Sequence, residues 1–364
     1  MQQFPTRVKV GFDVHAAQTH VAVLDPAGGE LWTRRLQGPP EVALELLASL
    51  APGATAVYEA GPTGFGLARA AAERGLDLRV VSPGQLPRNP SDRVKTDRRD
   101  AIRLARLLAA GELSFCRVPT PSEERFRDLV RAREDVRGDL MRARHRLSKF
   151  LLRWQIVYPG PGRAWTQAHR RWLGQLRFED AAATATLVDY LVAVDALVER
   201  RSALERTLSQ LVPGSPFARE IVRFRCFRGI DTLSACGIAG EVGDFARFAH
   251  PRLLAGYLGI VPSERTSDQR RRQGAITKAG PGHTRRLLVE AAHHYRHRPA
   301  SSAALVQRQA GQDPRVCQIA WRAQRRLHQR WQTLQQQRGK PTGVVAVACA
   351  RELSTFLWEA ATLD

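Results

Sequence analysis

The first hundred residues alternate extended and helical segments, and this order restricts the fold more than any other feature of the chain. Three strand-like segments come first, VKVGFDV, HVAVLD and ELWTRRL, with the turn DPAGG between the last two. They are followed by the helical EVALELLASL, the strand ATAVYEA, the helix GFGLARAAAERG, which ends at Gly75, and the strand DLRVVSP. A hairpin meander followed by βαβ units predicts an α/β domain with a mixed sheet flanked by helices.

Two longer segments carry apolar residues at near-heptad spacing. Residues 123–158 form one such stripe, residues 187–212 repeat it, and YPGPGR breaks the helix between them. Two long helices joined by a turn region predict an antiparallel coiled-coil arm. Core packing alone explains the stripe. An added function would be dimerisation, or binding of RNA by the basic outer face.

Glycine and proline divide the C-terminal part. PGSP at 213–216 predicts a linker. The segment FRGIDTLSACGIAGEVGDFARFAHPRLLAGYLG, with glycines at its helix junctions, resembles helix-hairpin-helix modules, whose tight turn offers backbone N–H groups to phosphate. The last hundred residues are mostly helical in pattern. These boundaries predict an α/β domain at 1–120, a helical arm at 121–215 and an all-helical C-terminal domain at 216–364.

The charge balance predicts a polyanionic partner. Lys and Arg number 56 against 35 acidic residues, which gives the 364-residue chain a net charge of +21. Nucleic acid is favoured over a membrane surface, because the basic residues are spread along the chain and no apolar run of about 18 residues occurs. The start, MQQFPTRVKVGFDV, lacks the apolar region of a signal peptide. Five scattered cysteines without a CxxC pair suit a reducing cytoplasm.

One acidic pair stands inside a strongly basic segment, SDRVKTDRRDAIRLARLL. At the first turn of a helix, Asp97 and Asp100 would project side by side. Two interpretations remain open at this point. Thr96 or Asp97 caps the helix and both acids favour the positive end of its macrodipole, or the pair helps to hold a divalent cation.

Two further acids stand at strand ends. Asp13 ends the first strand and Glu59 ends ATAVYEA, so parallel neighbouring strands would place both at one sheet edge, near the helix of Asp97 and Asp100. Four carboxylates would repel by about 3 kcal/mol per pair at about 5 Å and an effective dielectric near 20. Mg²⁺ relieves such repulsion and leaves room for phosphate oxygens. The neighbouring cations would then meet the nucleic-acid backbone: Arg93, Lys95, Arg98 and Arg99.

A second candidate site is the segment LGIVPSERTSDQRRRQGAITKAG, which predicts a polar, glycine-ended loop. A hydroxyl there could attack a phosphodiester if a neighbouring base or metal removes its proton and cations stabilise the developing charge. The alternative is a flexible basic loop whose serines only cap or contact phosphate. The cations of this segment are Arg265, Arg270, Arg271, Arg272 and Lys278.

Four segments in order closely resemble the DEDD transposases of bacterial insertion sequences: VGFDVHAAQTHVAVLD, YEAGPTGFGLARAA, RVKTDRRDAIRLARLLAAGEL and ITKAGPGHTRRLLVEAA. The resemblance runs nearly end to end. It implies a ribonuclease-H-like (RuvC-like) N-terminal domain, a small serine-bearing C-terminal domain and DNA transposase or recombinase activity. It also implies that Mg²⁺, with Mn²⁺ as an alternative, is bound by Asp13, Glu59, Asp97 and Asp100.

The same resemblance selects a nucleophile. The family has a Ser-Ser-Gly motif whose second serine falls on Ser267, which we prefer to Thr266 or Ser263. Asp268 stands where the family has glycine, which changes backbone freedom and adds a negative charge. Pro281 and Gly282 replace a frequent asparagine, and Ala16 follows His15 where lysine is frequent. The tetrad and the serine are nevertheless intact, so an active enzyme is expected.

The resemblance further implies a mechanism and its partners. The serine forms a covalent intermediate with double-stranded DNA of the element ends and target, while the two domains meet across protomers of a homodimer or homotetramer. A structured noncoding RNA encoded by the element guides the reaction by base pairing. Two other functions remain open, a metal-dependent endonuclease of the Holliday-junction type, in which the serine is incidental, and a basic nucleic-acid scaffold without catalysis.

Overall fold

The computed structural model describes residues 8–50, 53–86, 96–267 and 270–364, apart from the side chains of Gln85 and of residues 265–272. Contacts divide the chain into two compact units, Met1–Thr120 and Pro121–Asp364. Arg93 and Lys95 lie outside the described residues. Assignment of residues 121–215 to a separate arm domain stays a prediction.

The first unit is a five-stranded mixed sheet with helices on both faces. Its strand order is β3-β2-β1-β4-β5, in which β1, β2 and β3 are antiparallel, while β4 runs parallel to both β1 and β5. The predicted meander and βαβ units are confirmed, and the sheet is consistent with a ribonuclease-H-like fold. The elements are β1 Lys9–Val14, β2 Gln18–Leu24, β3 Leu31–Gln37, α1 Val42–Ser49, β4 Thr55–Glu59, α2 Gly66–Glu73, β5 Asp77–Val81 and α3 Asp97–Ala110.

The two faces of this sheet bury different helices, because successive side chains of a strand point to opposite sides. Val10, Phe12 and Tyr58 pack with α1 and α2 on one face. Val57 and Val81 pack with leucines of α3 on the other. Position along a strand therefore decides which side chains share a face with α3.

The second unit is mainly helical and contains one hairpin of strands. Its main core joins the start of α4 and the end of α6 to the C-terminal helices. The elements are α4 Pro121–Arg153, α5 Gln167–Gln175, α6 Ala181–Leu211, α7 Ala218–Phe224, α8 Thr232–Val242, α9 Pro251–Tyr257, β6 Pro262–Ser267, β7 Arg270–Ile276, α10 Gly282–Ala292, α11 Ala303–Gln309, α12 Pro314–Gln332 and α13 Thr342–Ala361.

The two long helices predicted from the near-heptad stripes are α4 and α6, and they pack along each other in opposite directions. With 33 residues, α4 is about 50 Å long. At one end Phe126 and Leu208 enter the main core, and at the other Phe150 and Leu187 pack around α5, a helix that the sequence patterns missed. Whether the pair supercoils stays a prediction.

An ion pair fastens α4 to the C-terminal helices. Arg131 of α4 donates two hydrogen bonds, of 2.7 and 2.8 Å, to the carboxylate of Glu241 at the end of α8. The Glu241 side chain is only 7% exposed, so its charge requires this partner. The bidentate geometry also restricts how α4 can rotate against α8.

The segment predicted as a polar loop is a hairpin of two antiparallel strands, β6 and β7, so the C-terminal domain is not purely helical. A run of charges hid the strand pattern. Beyond the ladder the two chain segments stay joined, since the Thr277 N–H donates to the Val261 carbonyl at 2.9 Å and the Lys278 N–H to the Gly259 carbonyl at 3.1 Å. These bonds fix the base of the hairpin.

The predicted helix-hairpin-helix region, residues 227–259, contains α8, a second turn and α9, and it begins with the turn between α7 and α8. Gly229 in this turn has φ of +80°, and a Cβ there would lie 2.8 Å from the Ala291 carbonyl oxygen, so the turn requires glycine. The PGSP linker begins as a 3-10 turn at Val212–Gly214. Assignment of the region to the helix-hairpin-helix class stays a prediction.

Within the described chain, one stretch is long and apolar enough to cross a membrane by composition, Ala181–Gly214, which is α6 with its 3-10 extension. A mostly buried core helix meets the same criterion, but this apolar window is only 17% buried, although one side of α6 packs on α4. The five cysteines are all free thiols, as expected from their spacing.

Candidate metal centre

Two strands bring Asp13 and Glu59 to one edge of the sheet. In the parallel pair of β1 and β4, Phe12 lies opposite Tyr58, so the next positions in both strands are Asp13 and Glu59. Each carboxylate comes two residues after a position that faces α3, namely Gly11 and Val57. By strand alternation both acids therefore project toward the side of the sheet covered by α3.

The other two acids of the predicted tetrad lie in the first turn of α3. The hydroxyl of Thr96 caps this helix by accepting a hydrogen bond of 3.4 Å from the Arg99 N–H. Asp97 and Asp100 follow, three residues apart, and Gly111 ends the helix at φ +71°. The two residues thus project from the helix end nearest the C-terminal edge of β1.

Gly11 permits α3 to approach the sheet closely. A Cβ at this position would lie 2.1 Å from the Ala101 carbonyl oxygen and 2.7 Å from the Ala105 backbone nitrogen. Ala22 on β2 adds a second small residue to the contact. The helix backbone therefore rests directly on β1, which brings its first turn over Asp13.

Of the four acids, Asp13 and Asp97 meet in a compact group of donor atoms that also contains His15. His15 Nε2 lies 3.3 Å from Asp13 Oδ2 and 3.7 Å from Asp97 Oδ2. One ligand atom each of Asp13, His15 and Asp97 fall within 4.8 Å of one another. His20, which pairs with Asp13 across β1 and β2, places Nε2 3.7 Å from Asp97 Oδ2.

Electrostatics supports a cation at this place. Burial raises the pKa of the Asp13 carboxyl, His15 lowers it, and the negative charges of Asp97 and Asp100 raise it. Asp100 thus lies within electrostatic reach of Asp13. A group of carboxylates and an imidazole at an accessible sheet edge fits a divalent metal, which would remove the mutual repulsion.

His15 and His20 were not among the metal ligands expected from the sequence. The sequence nevertheless contained a signal for both. His15 continues the every-second-residue spacing of Gly11 and Asp13, and His20 lies opposite Asp13 in the pairing of β1 with β2.

The cations expected near the site divide into two sets. Arg98 and Arg99 are exposed on the first turn of α3, whereas Arg93 and Lys95 fall in the undescribed segment.

The expected serine lies in the second unit, at the last position of β6. Ser267 pairs with Arg270, Thr266 with Arg271 and Arg265 with Arg272 across the hairpin. These side chains are outside the described set, as is the whole of Asp268. Lys278, beyond β7, has a left-handed backbone with φ of +57°.

Comparison with known proteins identifies the class to which this chain belongs, the DEDD transposases. Residues 10–155 match the profile of the IS110-type DEDD transposases, and residues 223–307 match the transposase family IS116/IS110/IS902. This chain belongs to the IS110-type family of insertion-sequence transposases, and the resemblance seen in the sequence is confirmed.

Individual relatives agree with the family assignment. The chain is 42% identical to the transposase y4qE of Sinorhizobium fredii over 301 residues, which cover 83% of this chain and 73% of that protein. It is 32% identical to the transposase for insertion sequence element IS1533 of Leptospira borgpetersenii over 342 residues, which cover 92% and 98% of the two proteins.

Proposed function

We propose that this transposase cuts and rejoins double-stranded DNA at the ends of an insertion sequence and at its target, using the carboxylate tetrad and the hydroxyl of Ser267. The observation that carries the proposal is the convergence of Asp13 and Asp97 from distant parts of the chain onto one group of donor atoms. Glu59 joins them by strand register and Asp100 by its charge.

The roles of the residues follow from their chemistry. A divalent cation, Mg²⁺ or Mn²⁺, supplies charge stabilisation to a phosphate when bound by the tetrad. Arg98 and Arg99 bind neighbouring phosphates of the backbone. Ser267 Oγ forms a bond to phosphorus as the bond from phosphorus to a deoxyribose oxygen breaks, and that oxygen takes up a proton. The reverse reaction on another strand end rejoins the DNA.

A structured noncoding RNA and a second protomer complete this proposal. The net charge of +21 agrees with simultaneous binding of RNA and DNA. Sequence specificity would come from base pairing, with the protein contacting backbone and shape. The active assembly is a homodimer or homotetramer, in which the tetrad of one protomer acts with the serine of another.

The test is to trap the covalent intermediate. Wild type and the variants Ser267→Ala and Asp97→Asn are incubated with element-end DNA and the co-purified RNA, and adducts are separated under denaturing conditions. We expect an adduct in wild type and a loss of at least about 100-fold in each variant, because nucleophile and metal ligand act in one step.

Ser263→Ala, Thr266→Ala and Asp189→Asn are the matched controls, the last being an exposed acid on α6. Strand cleavage that persists in Ser267→Ala without any adduct would favour the Holliday-junction-type endonuclease. DNA rearrangement that persists in Asp97→Asn would favour the non-catalytic scaffold.

A further inference from the structure

We propose that His15 is a nitrogen ligand of the metal in the candidate metal centre, which therefore binds Mn²⁺ more tightly than Mg²⁺. This inference rests on the metal site of the proposed function and adds a ligand from outside the carboxylate tetrad.

The local backbone presents His15 to the site. β1 ends at Val14, and the His15 N–H donates a hydrogen bond of 2.9 Å to the Gln18 carbonyl, which closes the tight connection to β2. This bond holds His15 in line with the strand. Its side chain consequently follows Gly11 and Asp13 onto the side of the sheet that α3 covers.

The distances match those between neighbouring ligands of one metal ion. Ligands at right angles around a metal, with bonds of about 2.1 Å, lie about 3 Å apart. His15 Nε2 is 3.3 Å from Asp13 Oδ2 and 3.7 Å from Asp97 Oδ2. A single ring nitrogen between two carboxylate oxygens is the arrangement from which a cation can draw all three donors with small side-chain movements.

His20 serves a different role and provides an internal comparison. Its Nε2 lies 3.7 Å from Asp97 Oδ2, yet it is not part of the convergent group of Asp13, His15 and Asp97. His20 is also the less exposed of the two, with 21% of its side chain accessible against 49% for His15. We assign it to orienting the Asp97 carboxylate.

The ligand atoms determine which metal is preferred. Carboxylate oxygens suit Mg²⁺ and Mn²⁺, whereas an imidazole nitrogen favours a first-row transition metal over Mg²⁺. A site with His15 as ligand therefore discriminates between the two ions. A site made of carboxylates alone would lose little Mn²⁺ affinity when His15 is replaced.

The experiment measures Mn²⁺ bound to the full-length protein by electron paramagnetic resonance, with electron spin-echo envelope modulation to detect ¹⁴N coupling. Dimethyl phosphate, which has no nitrogen, stands in for the DNA backbone. We expect ¹⁴N modulation in wild type and in His20→Gln, and its loss in His15→Gln. Mn²⁺ affinity should fall about tenfold or more in His15→Gln, with a smaller fall for Mg²⁺.

Each other outcome has a defined meaning. Bound Mn²⁺ without ¹⁴N coupling in wild type, or coupling that persists in His15→Gln, overturns the assignment of His15 while the carboxylate site survives. Absence of Mn²⁺ and Mg²⁺ binding with dimethyl phosphate present overturns the proposed metal site as well. Asp13→Asn must abolish the Mn²⁺ signal, and circular dichroism must show that every variant is folded.

Discussion

At the scale of single residues, the approach of α3 to the sheet depends on the missing side chain of Gly11. The nearest atoms to a Cβ there belong to the helix backbone, namely the Ala101 carbonyl oxygen and the Ala105 nitrogen. Backbone atoms cannot rotate away as the end of a long side chain can. Any larger residue must therefore move the helix that carries Asp97 and Asp100.

Gly11→Val tests this dependence. We expect a loss of about 2–3 kcal/mol in the free energy of unfolding, because over-packing displaces α3. Mn²⁺ binding should weaken at the same time, since the first turn of α3 moves away from Asp13. Urea unfolding and Mn²⁺ titration measure the two effects.

Gly66→Ala is the matched control, because Gly66 begins α2 and a Cβ added there would meet no atom from another part of the chain within 4 Å. It should be neutral or slightly stabilising, since alanine favours a helix. Wild-type metal affinity in a folded Gly11→Val variant would show that close packing of α3 is not required for the site.

At the scale of elements, the end of the α4 and α6 pair is closed by an aromatic cluster around a buried histidine. His169 on α5 packs edgewise against Tyr158 and Trp165, with ring centroids 5.0 and 5.4 Å away. Its Nδ1 accepts a hydrogen bond of 3.2 Å from the Trp165 N–H, so that nitrogen carries no proton. Burial, with a further contribution from Arg170, lowers the pKa of His169.

Acidification should therefore destabilise the packing at this end of the α4 and α6 pair. Because the folded-state pKa lies below the ordinary value of about 6.5, the unfolded chain takes up the proton first as pH falls. The stability that neutral His169 contributes is present above about pH 6.5 and is lost as the pH falls below it. His169→Asn retains an acceptor but cannot be protonated in this range.

Thermal unfolding at pH 8 and pH 5 measures this effect. The melting temperature of wild type should fall more between the two pH values than that of His169→Asn. The variant should be the less stable of the two at pH 8, because it loses the ring contacts. An equal fall in both proteins would show that His169 does not contribute to the acid sensitivity.

At the scale of the whole molecule, the excess of 21 positive charges determines how strongly nucleic acid is held. Each phosphate contact that a cation makes releases about one condensed counterion, so affinity falls as salt rises. Only cations that contact the nucleic acid contribute to this salt dependence. A cation that is already paired with an acid on its own helix should not contribute to it.

Arg98→Ala should weaken binding to a duplex of random sequence and reduce the slope of log affinity against log salt by about 0.9. Arg142→Ala is the control, because Arg142 is paired with Asp139 on α4 and should leave the slope unchanged. Fluorescence anisotropy over a series of salt concentrations measures both. Equal slopes for wild type and Arg98→Ala would remove Arg98 from the nucleic-acid surface.

Much of the first unit could be predicted from local patterns. The alternation in VKVGFDV and ATAVYEA predicted β1 and β4, and Thr96 was one of two residues expected to cap α3. Such features depend on neighbours two to four residues apart. In β6 and β7 a run of charged residues obscured the alternation of apolar and polar side chains that indicates a strand. The hairpin was therefore mistaken for a loop.

The sequence by itself determined the order of these elements and the positions of the acids at their ends. The tertiary structure alone decided that Asp97 on α3 meets Asp13 and His15, and that Gly11 lets α3 rest on β1. These contacts unite residues more than about 80 positions apart, and a shift of one residue in strand register would turn a side chain to the opposite face. Local propensity does not carry that information, whereas the packing of the helix on the sheet does.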